Sequence, residues 1–219
     1  MSLNNLKDTS EGGEFELPPQ GLHLARCAII CDLGMVTTQW GSQHKIYWAF
    51  ELVNTKMTTD DRPFSIGEQL TTKLGKNNSG EPSRLRGRLE SWRGRPYDDD
   101  EIRTKGVDLN AVLGAPCQIQ IMHEPDKKDR TKMWPRINAI LPGKDLDVPQ
   151  LSKDPIYFDW DAPDADAQYH ALPDFLQKKM GDAPHKTAEE ATALADEQMA
   201  AQATDLDAPP PPFDDDIPF

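Results

Sequence analysis

A mainly β fold is predicted: a small five-stranded barrel with one or two short helices between its third and fourth strands, then a disordered acidic tail. Three observations predict it. Several segments alternate apolar and polar residues with the period of two that half-buried strands require. One stretch among them carries an apolar stripe at helical spacing. The charge also changes sign near Pro142: residues 21–142 hold 18 Lys and Arg against 15 Asp and Glu, whereas residues 143–219 hold 5 Lys against 18 acids.

The formal net charge of −13 therefore belongs to the tail and hides a mildly basic core. Residues 1–20 are polar and acidic, with Lys7 against Asp8, Glu11, Glu14 and Glu16, and end on Pro18-Pro19. A flexible arm is expected there. Residues 22–33 read as the first strand, and Gly34 opens a polar loop to about His44. Residues 45–53 place Ile46, Trp48, Phe50 and Leu52 on one face and Lys45, Tyr47, Ala49 and Glu51 on the other. Phe50 shares its face with Leu52, so Trp48 and Phe50 are expected in the core. After a polar turn, a third strand over 64–74 sets Phe64, Ile66, Leu70 and Leu74 on one side.

A helix is predicted from about Pro82, with Leu85, Leu89 and Trp92 at i, i+4 and i+7 and Gly94 as its stop. Trp92 lies on that stripe and is expected in the core. The run Asp98-Asp99-Asp100-Glu101 reads as a loop or helix start, since consecutive carboxylates point apart and do not converge on a metal. A second short helix is predicted at 109–113, between Asp108 as N-cap and Gly114. Residues 116–123 alternate again, a charged loop runs from Glu124 to Lys132, and a final strand over 133–141 ends at Pro142.

Three strands, a helical segment and two strands is the order of the OB barrel, an order that other small β-barrels and α+β sandwiches share. The predicted organisation is an arm (1–20), an OB-type domain (21–142) long enough to fold alone, and a mostly disordered tail (143–219). The tail is rich in Asp, Ala and Pro and offers too little apolar surface to offset the entropy of ordering. Two stretches stand out within it. Ile156, Tyr157, Phe158 and Trp160 form an aromatic cluster suited to lying back on the barrel, and residues 188–203 have high helix propensity behind a Thr187/Glu190 capping box.

Cys27, Cys31 and Cys117 are odd in number and lack CxxC spacing, so they are expected to be buried small hydrophobes in a reducing, cytoplasmic setting. No signal peptide is visible, and no apolar run approaches the ~20 residues that span a membrane. No nucleophile elbow, Walker loop, HExxH or His cluster is present, so neither an enzyme nor a cofactor is expected.

Cations interleaved with aromatic rings point to single-stranded nucleic acid, because phosphates need counter-charges and bases need flat surfaces. Arg84, Arg86, Arg88, Arg93 and Arg95 crowd the helix; Lys127, Lys128, Arg130 and Lys132 crowd the last loop; Trp40, Tyr47, Trp92, Tyr97 and Trp134 are scattered among them. In an OB barrel the face of strands 2 and 3 with loops 1–2 and 4–5 forms the groove. The expected DNA contacts are Trp40, Lys45, Tyr47, Arg84, Arg86, Arg88, Lys127, Lys128, Arg130, Lys132, Trp134 and Arg136. The arginine cluster equally suits a solvated helix face.

The last segment, Asp214-Asp215-Asp216-Ile217-Pro218-Phe219, sets two apolar side chains and a terminal carboxylate behind an acidic run, which suits a small apolar pocket with a basic rim. It resembles the C-terminal tip of bacterial single-stranded-DNA-binding proteins. The helix region Leu85 to Pro96 and the stretch Asp108 to Cys117 resemble phage- and prophage-encoded OB-fold single-strand binders. The resemblance implies a phage-type protein that coats single strands. Its tip would recruit host replication, recombination and repair proteins: an exonuclease, a primosomal helicase, polymerase-associated subunits and recombination mediators. The alternative is an adaptor or inhibitor whose barrel binds protein and whose tip captures host enzymes. Self-association of the barrel is left open.

Overall fold

The alternating segments become long, bent strands in a computed structural model, which describes residues 16–38, 41–127 and 129–180. Strands β1 (Gly21–Thr38), β2 (Gly41–Lys56), β3 (Pro63–Thr71), β4 (Pro116–Pro125) and β5 (Met133–Pro142) run antiparallel in the order β3-β2-β1-β4-β5. β6 (Ile156–Phe158) joins in parallel beside Ile29–Cys31. β1 thus serves three neighbours: β4 along its first six residues, β6 at its middle, and β2 from Arg26 to Thr38. Register shifts at Cys27/Ile29 and Asp32/Gly34 bend it. The first hairpin is longer than expected. Residues 34–44, predicted as a polar loop, stay paired up to Thr38 opposite Gly41.

The inner face is filled as the alternation requires. Trp48, Phe50 and Leu52 are fully buried, with Cys27, Ile119 and Ile140 among their neighbours in the core. The Trp48, Phe50 and Trp92 rings lie 5.2–5.7 Å apart. Both indole N–H groups are satisfied, Trp48 donating to Cys27 Sγ at 3.0 Å and Trp92 to the Pro116 carbonyl at 2.9 Å. Burial pushes the Cys27 and Cys31 thiols up to about 12, as befits core side chains.

Helix α1 (Arg84–Arg93) buries Leu85, Leu89 and Trp92. The Ser83 hydroxyl caps its start, and Gly94 ends it in the left-handed region (φ 75°), where its N–H reaches the Glu90 and Ser91 carbonyls. The helix lies where the sheet is not closed, between β3 and β5. Arg88 spans that seam, holding Glu68 of β3 (2.9 Å) and donating to the Ile137 and Asn138 carbonyls of β5. Ser91 Oγ donates to the Ile140 carbonyl at 2.6 Å. Side chains of α1 therefore occupy the backbone acceptors that an open strand edge would expose.

Of the two forms expected for the acidic run, a loop or a helix start, it takes the helix start. Asp98 caps α2 (Asp99–Lys105) by accepting from the Asp100 and Glu101 N–H groups. Asp108 opens a short 3-10 turn, Asn110–Val112, in place of the predicted second helix.

The largest correction lies beyond Pro142. The chain does not pass directly into a tail there: it stays folded through Met180, the last of the described residues. Arg26 fixes the connection by donating to the Gly114, Val148 and Pro149 carbonyls at 2.7–2.8 Å. Then β6, α3 (Ala165–Ala171) and α4 (Asp174–Met180) cover the outer face of β1 and β2. Phe158, Leu172, Leu176 and Met180 bury against Ile29, Cys31, Leu33 and Ala49, forming a second core. Each such side chain contributes about 1.5–3 kcal/mol on full burial. The aromatic cluster from Ile156 to Trp160 lies back on the sheet as expected, whereas composition averaged over residues 143–219 hid Leu172, Leu176 and Met180. Acidity concentrates after them: residues 181–219 hold one Lys and ten acids.

The arm is likewise pinned at its end. Pro18 is buried, the Glu16 carboxylate accepts from Thr58 N–H at 2.9 Å, and His123 Nε2 meets the Pro18 carbonyl at 2.8 Å. Residues 1–15 and the predicted helix at 188–203 lie outside the described residues. Among the described residues, no helix is long and apolar enough to cross a membrane.

Candidate nucleic-acid interface

Tyr47 and Trp134 both point away from the inner core of the sheet, but their surroundings differ. Tyr47 is covered by α4. The Phe175 ring stands edge-on to it at 6.4 Å, and Lys179 Nζ lies 4.7 Å from its centre. Its hydroxyl end rests on Gly67 of β3, where a Cβ would collide with the phenol oxygen. Burial raises its phenol above the ordinary value. Tyr47 is thus a packing residue, and the strand-2 face expected to stack bases is occupied by the chain itself.

Trp134 sits at the end of the β4–β5 hairpin and is 45% exposed. Its indole N–H donates to Asp126 at 2.9 Å, which fixes the ring against the loop while leaving a face open. The loop is closed by backbone bonds from Asp126 N–H to the Lys132 carbonyl and from Lys132 N–H to the Asp129 carbonyl. The Thr131 hydroxyl and N–H, bonded to Asp129, hold its carboxyl below the usual range. Lys127, Arg130 and Lys132 project from this loop and are exposed. Beside it, Lys132, Met133 and Trp134 face Thr58 and Thr59 across a cavity of about 840 Å³.

On the same outer face, where Trp134 stands opposite Glu124 and two residues before Arg136, the residues Arg84, Lys127 and Arg136 converge from α1, the loop and β5 on a cavity of about 310 Å³ that Met122, Glu124 and Asn138 also line. Arg84 reaches Glu68 at 2.5 Å, and Arg136 lies 3.5 Å from Glu124. The arrangement joins three cations, an exposed indole and the exposed apolar side chain Met122 on one open face, together with backbone and amide groups.

The helix arginines divide. Arg84 reaches the face just described, but two others do not. Arg86 is 2% exposed, bound to Glu90 (2.7 Å) and Asp99 (2.6 Å) and to the Tyr97 carbonyl (2.8 Å). Burial pushes the Glu90 carboxyl up, yet the bonds from Arg86 and the Tyr97 N–H leave it below the usual range. Arg88 is the seam residue. Neither is free for phosphate, so both expectations are corrected: buried carboxylates on α1 and β3 required cations, and these two supply them. Arg93 stacks on the Tyr97 ring at 4.3 Å, beside Glu101. The carboxylates Asp98 to Glu101 are spent on capping and on pairs with Lys76, Arg86, Arg103 and Arg93.

Lys45 is half-buried and pairs in register with Gly34 and Thr71, toward the end of β1 far from the β4–β5 loop. Trp40, Lys128 and the segment Asp214–Phe219 lie outside the described residues. Met122 and Asn138 were missed by sequence reasoning. The alternation of Gln118, Gln120 and Met122 opposite buried Cys117, Ile119 and Ile121 was the available signal. No protein-family model matches the chain, and no curated protein matches it either.

Proposed function

We propose that this chain binds single-stranded DNA without sequence preference, using the open face of the β4–β5 hairpin. The observation that carries the reading is the convergence of Arg84, Lys127 and Arg136 on one cavity, with the exposed Trp134 opposite Glu124 of its lining in the β4–β5 register. Cations that follow phosphates and a ring that stacks any base are what sequence-tolerant binding needs. The strand order, with α1 between β3 and β4, supports an OB-type barrel whose seam is bridged by Arg88. The single strand would then lie on β4–β5 and its loop, and not on the Tyr47 face.

The acidic stretch after Met180 is the second working part. Asp214–Phe219 carries three carboxylates ahead of Ile217 and Phe219, a composition suited to a basic-rimmed apolar pocket on a partner. We assign it the recruitment of DNA-processing enzymes to the coated strand. Gel shift of the full chain with oligo-dT tests the first part: a retarded complex that weakens steeply with salt is expected. Absence of a complex at low salt rejects it. Titration of a single-strand exonuclease or primosomal helicase with peptides of residues 205–219 tests the second. Phe219→Ala and Ile217→Ala should each abolish binding, and equal binding by all three peptides rejects it.

A further inference from the structure

We propose that the Arg84–Lys127–Arg136 cavity is a phosphodiester site whose cations are held in place by two carboxylates of the protein, and that DNA binding displaces Glu124. The inference rests on the single-strand reading above and names its anchoring site and its internal competitor.

The geometry carries it in three steps. First, the three cations come from separate parts of the fold, an α1 residue, a loop residue and a β5 residue, yet they line one concavity of about 310 Å³. A cavity with three cations on its wall is a site for an anion with several oxygens. Second, the anions already present are carboxylates. Glu68 holds Arg84 at 2.5 Å and Glu124 stands 3.5 Å from Arg136. A guanidinium presents the same planar fork of donors to a carboxylate and to a phosphate. Each carboxylate therefore keeps its arginine oriented as a phosphate would find it.

Third, the two carboxylates differ in how firmly they are fixed. Glu68 is largely buried and also binds the seam residue Arg88, so it stays and orients Arg84. Glu124 is exposed, as is Arg136, and their contact is long. An exposed pair of that kind contributes little, so an incoming phosphate replaces Glu124 at small cost. Lys127 has no ion-pair partner among the described residues and completes the charge. Asn138 and Met122 lie beside the phosphate position, one offering an amide and the other an apolar surface for the adjoining sugar or base.

The experiment measures oligo-dT affinity of the full-length protein against salt concentration. Arg136→Gln and Lys127→Gln, both at exposed positions, should each bind roughly tenfold more weakly at low salt and each flatten the slope of log affinity against log salt by about 0.7. Glu124→Gln should bind several-fold more tightly at low salt. Asp100→Asn is the control. It removes the same charge and likewise frees an exposed arginine, Arg103, 2.5 Å from Asp100 on α2, none of whose residues line the cavity. It should leave affinity nearly unchanged. Equal gains from Glu124→Gln and Asp100→Asn would overturn the proposal, because any lost acid would then suffice. So would a parent-like salt slope in both cation variants. A parent protein that fails to bind oligo-dT at all would instead remove the single-strand reading itself.

Discussion

The outer face of β1–β2 and the outer face of β4–β5 are built from the same alternation and end in opposite states. On β1–β2 the outward residues Ile29, Cys31, Leu33 and Ala49 are apolar, and α4, β6 and the Phe158–Met180 cluster close over them, with Tyr47 beneath Phe175. On β4–β5 the outward residues Gln118, Gln120, Met122, Trp134, Arg136 and Asn138 mix amide, apolar and cationic groups, and no segment among the described residues covers the hairpin end. An apolar face is completed by the protein. A face with cations, amides and one ring stays open among the described residues. Pointing outward from a strand is therefore not the same as being available.

The comparison breaks most readily at the cover. Leu176 has no exposed surface and sits at the centre of the second core. Leu176→Ala should lower unfolding free energy by about 2–5 kcal/mol, read from the shift in urea midpoint. Arg86→Ala belongs to the same scale. It strands Glu90 largely buried, and loss of one partner of a buried pair costs about 3–5 kcal/mol. Neither residue touches the β4–β5 face, so oligo-dT affinity of the folded fraction should not change. An unchanged urea midpoint for Leu176→Ala would mean that residues 156–180 are not part of the cooperative unit.

Much of this division was legible in the chain, and the remainder failed for identifiable reasons. Alternation located the inner core through Trp48, Phe50 and Leu52, and helical spacing located Leu85, Leu89 and Trp92. The run Ile29-Ile30-Cys31 followed by Leu33 is apolar on both sides of its strand, which already implies that both faces are buried. The rest of its cover leaves a weak signal, because Leu172, Leu176 and Met180 are sparse within an acidic stretch. Arg86 was recoverable, since Glu90 stands four residues on along the same helix face. Arg88 was not. Its partners are Glu68, twenty residues away, and carbonyls of β5 nearly fifty away, and no local pattern reports contacts at that separation.

Exchange of the two aromatic residues sharpens the comparison at the level of function. Trp134→Ala should weaken oligo-dT binding by about 1–3 kcal/mol, the usual contribution of one stacked base. Its unfolding free energy should move by less than about 0.5 kcal/mol, as for other surface positions. Tyr47→Ala should do the reverse, losing about 2 kcal/mol of stability through its contacts with Phe175 and Lys179 while binding oligo-dT like the parent. Weakened DNA binding by folded Tyr47→Ala would show that α4 leaves that face when DNA arrives.

The cysteines report on the two cores separately. Cys27 and Cys117 lie in the inner core, whereas Cys31 lies beneath the C-terminal cover. Burial raises all three thiols and leaves them unreactive in the folded protein. Cys31 should be alkylated first, at a rate set by opening of the cover, and Leu176→Ala should accelerate Cys31 alone. Alkylation of the three at one rate would mean that the cover and the inner core open together.

The smallest expected effect is a pH dependence at the edge where the β1–β2 hairpin meets the cover. His44 Nε2 lies 2.6 Å from Asp32 Oδ1, and Asp32 also receives the Gly34 N–H at 2.7 Å, so one carboxylate fixes both the bulge in β1 and a side chain of β2. The hydrogen bond to Asp32 raises the His44 pKa above its ordinary 6.5. Partial burial opposes this, and the Asp32, Asp161 and Asp159 charges add to it. Asp159 and Asp161 belong to the covering segment and follow β6 directly. A raised value in the folded state means that folding tightens the hold on the proton. The stabilisation is therefore complete below about pH 6.5 and is lost as pH rises through the folded-state value. His44 is about half exposed, so solvent screens the interaction and the change should stay below about 1 kcal/mol. Raising the pH from 6 to 8 should slightly lower the urea midpoint and quicken Cys31 alkylation relative to Cys27, after correction for the intrinsic thiol chemistry. His44→Gln should remove both trends in that window. If His44→Gln retains them, the pH response belongs to another group, and the hairpin is not clasped to the cover by this histidine.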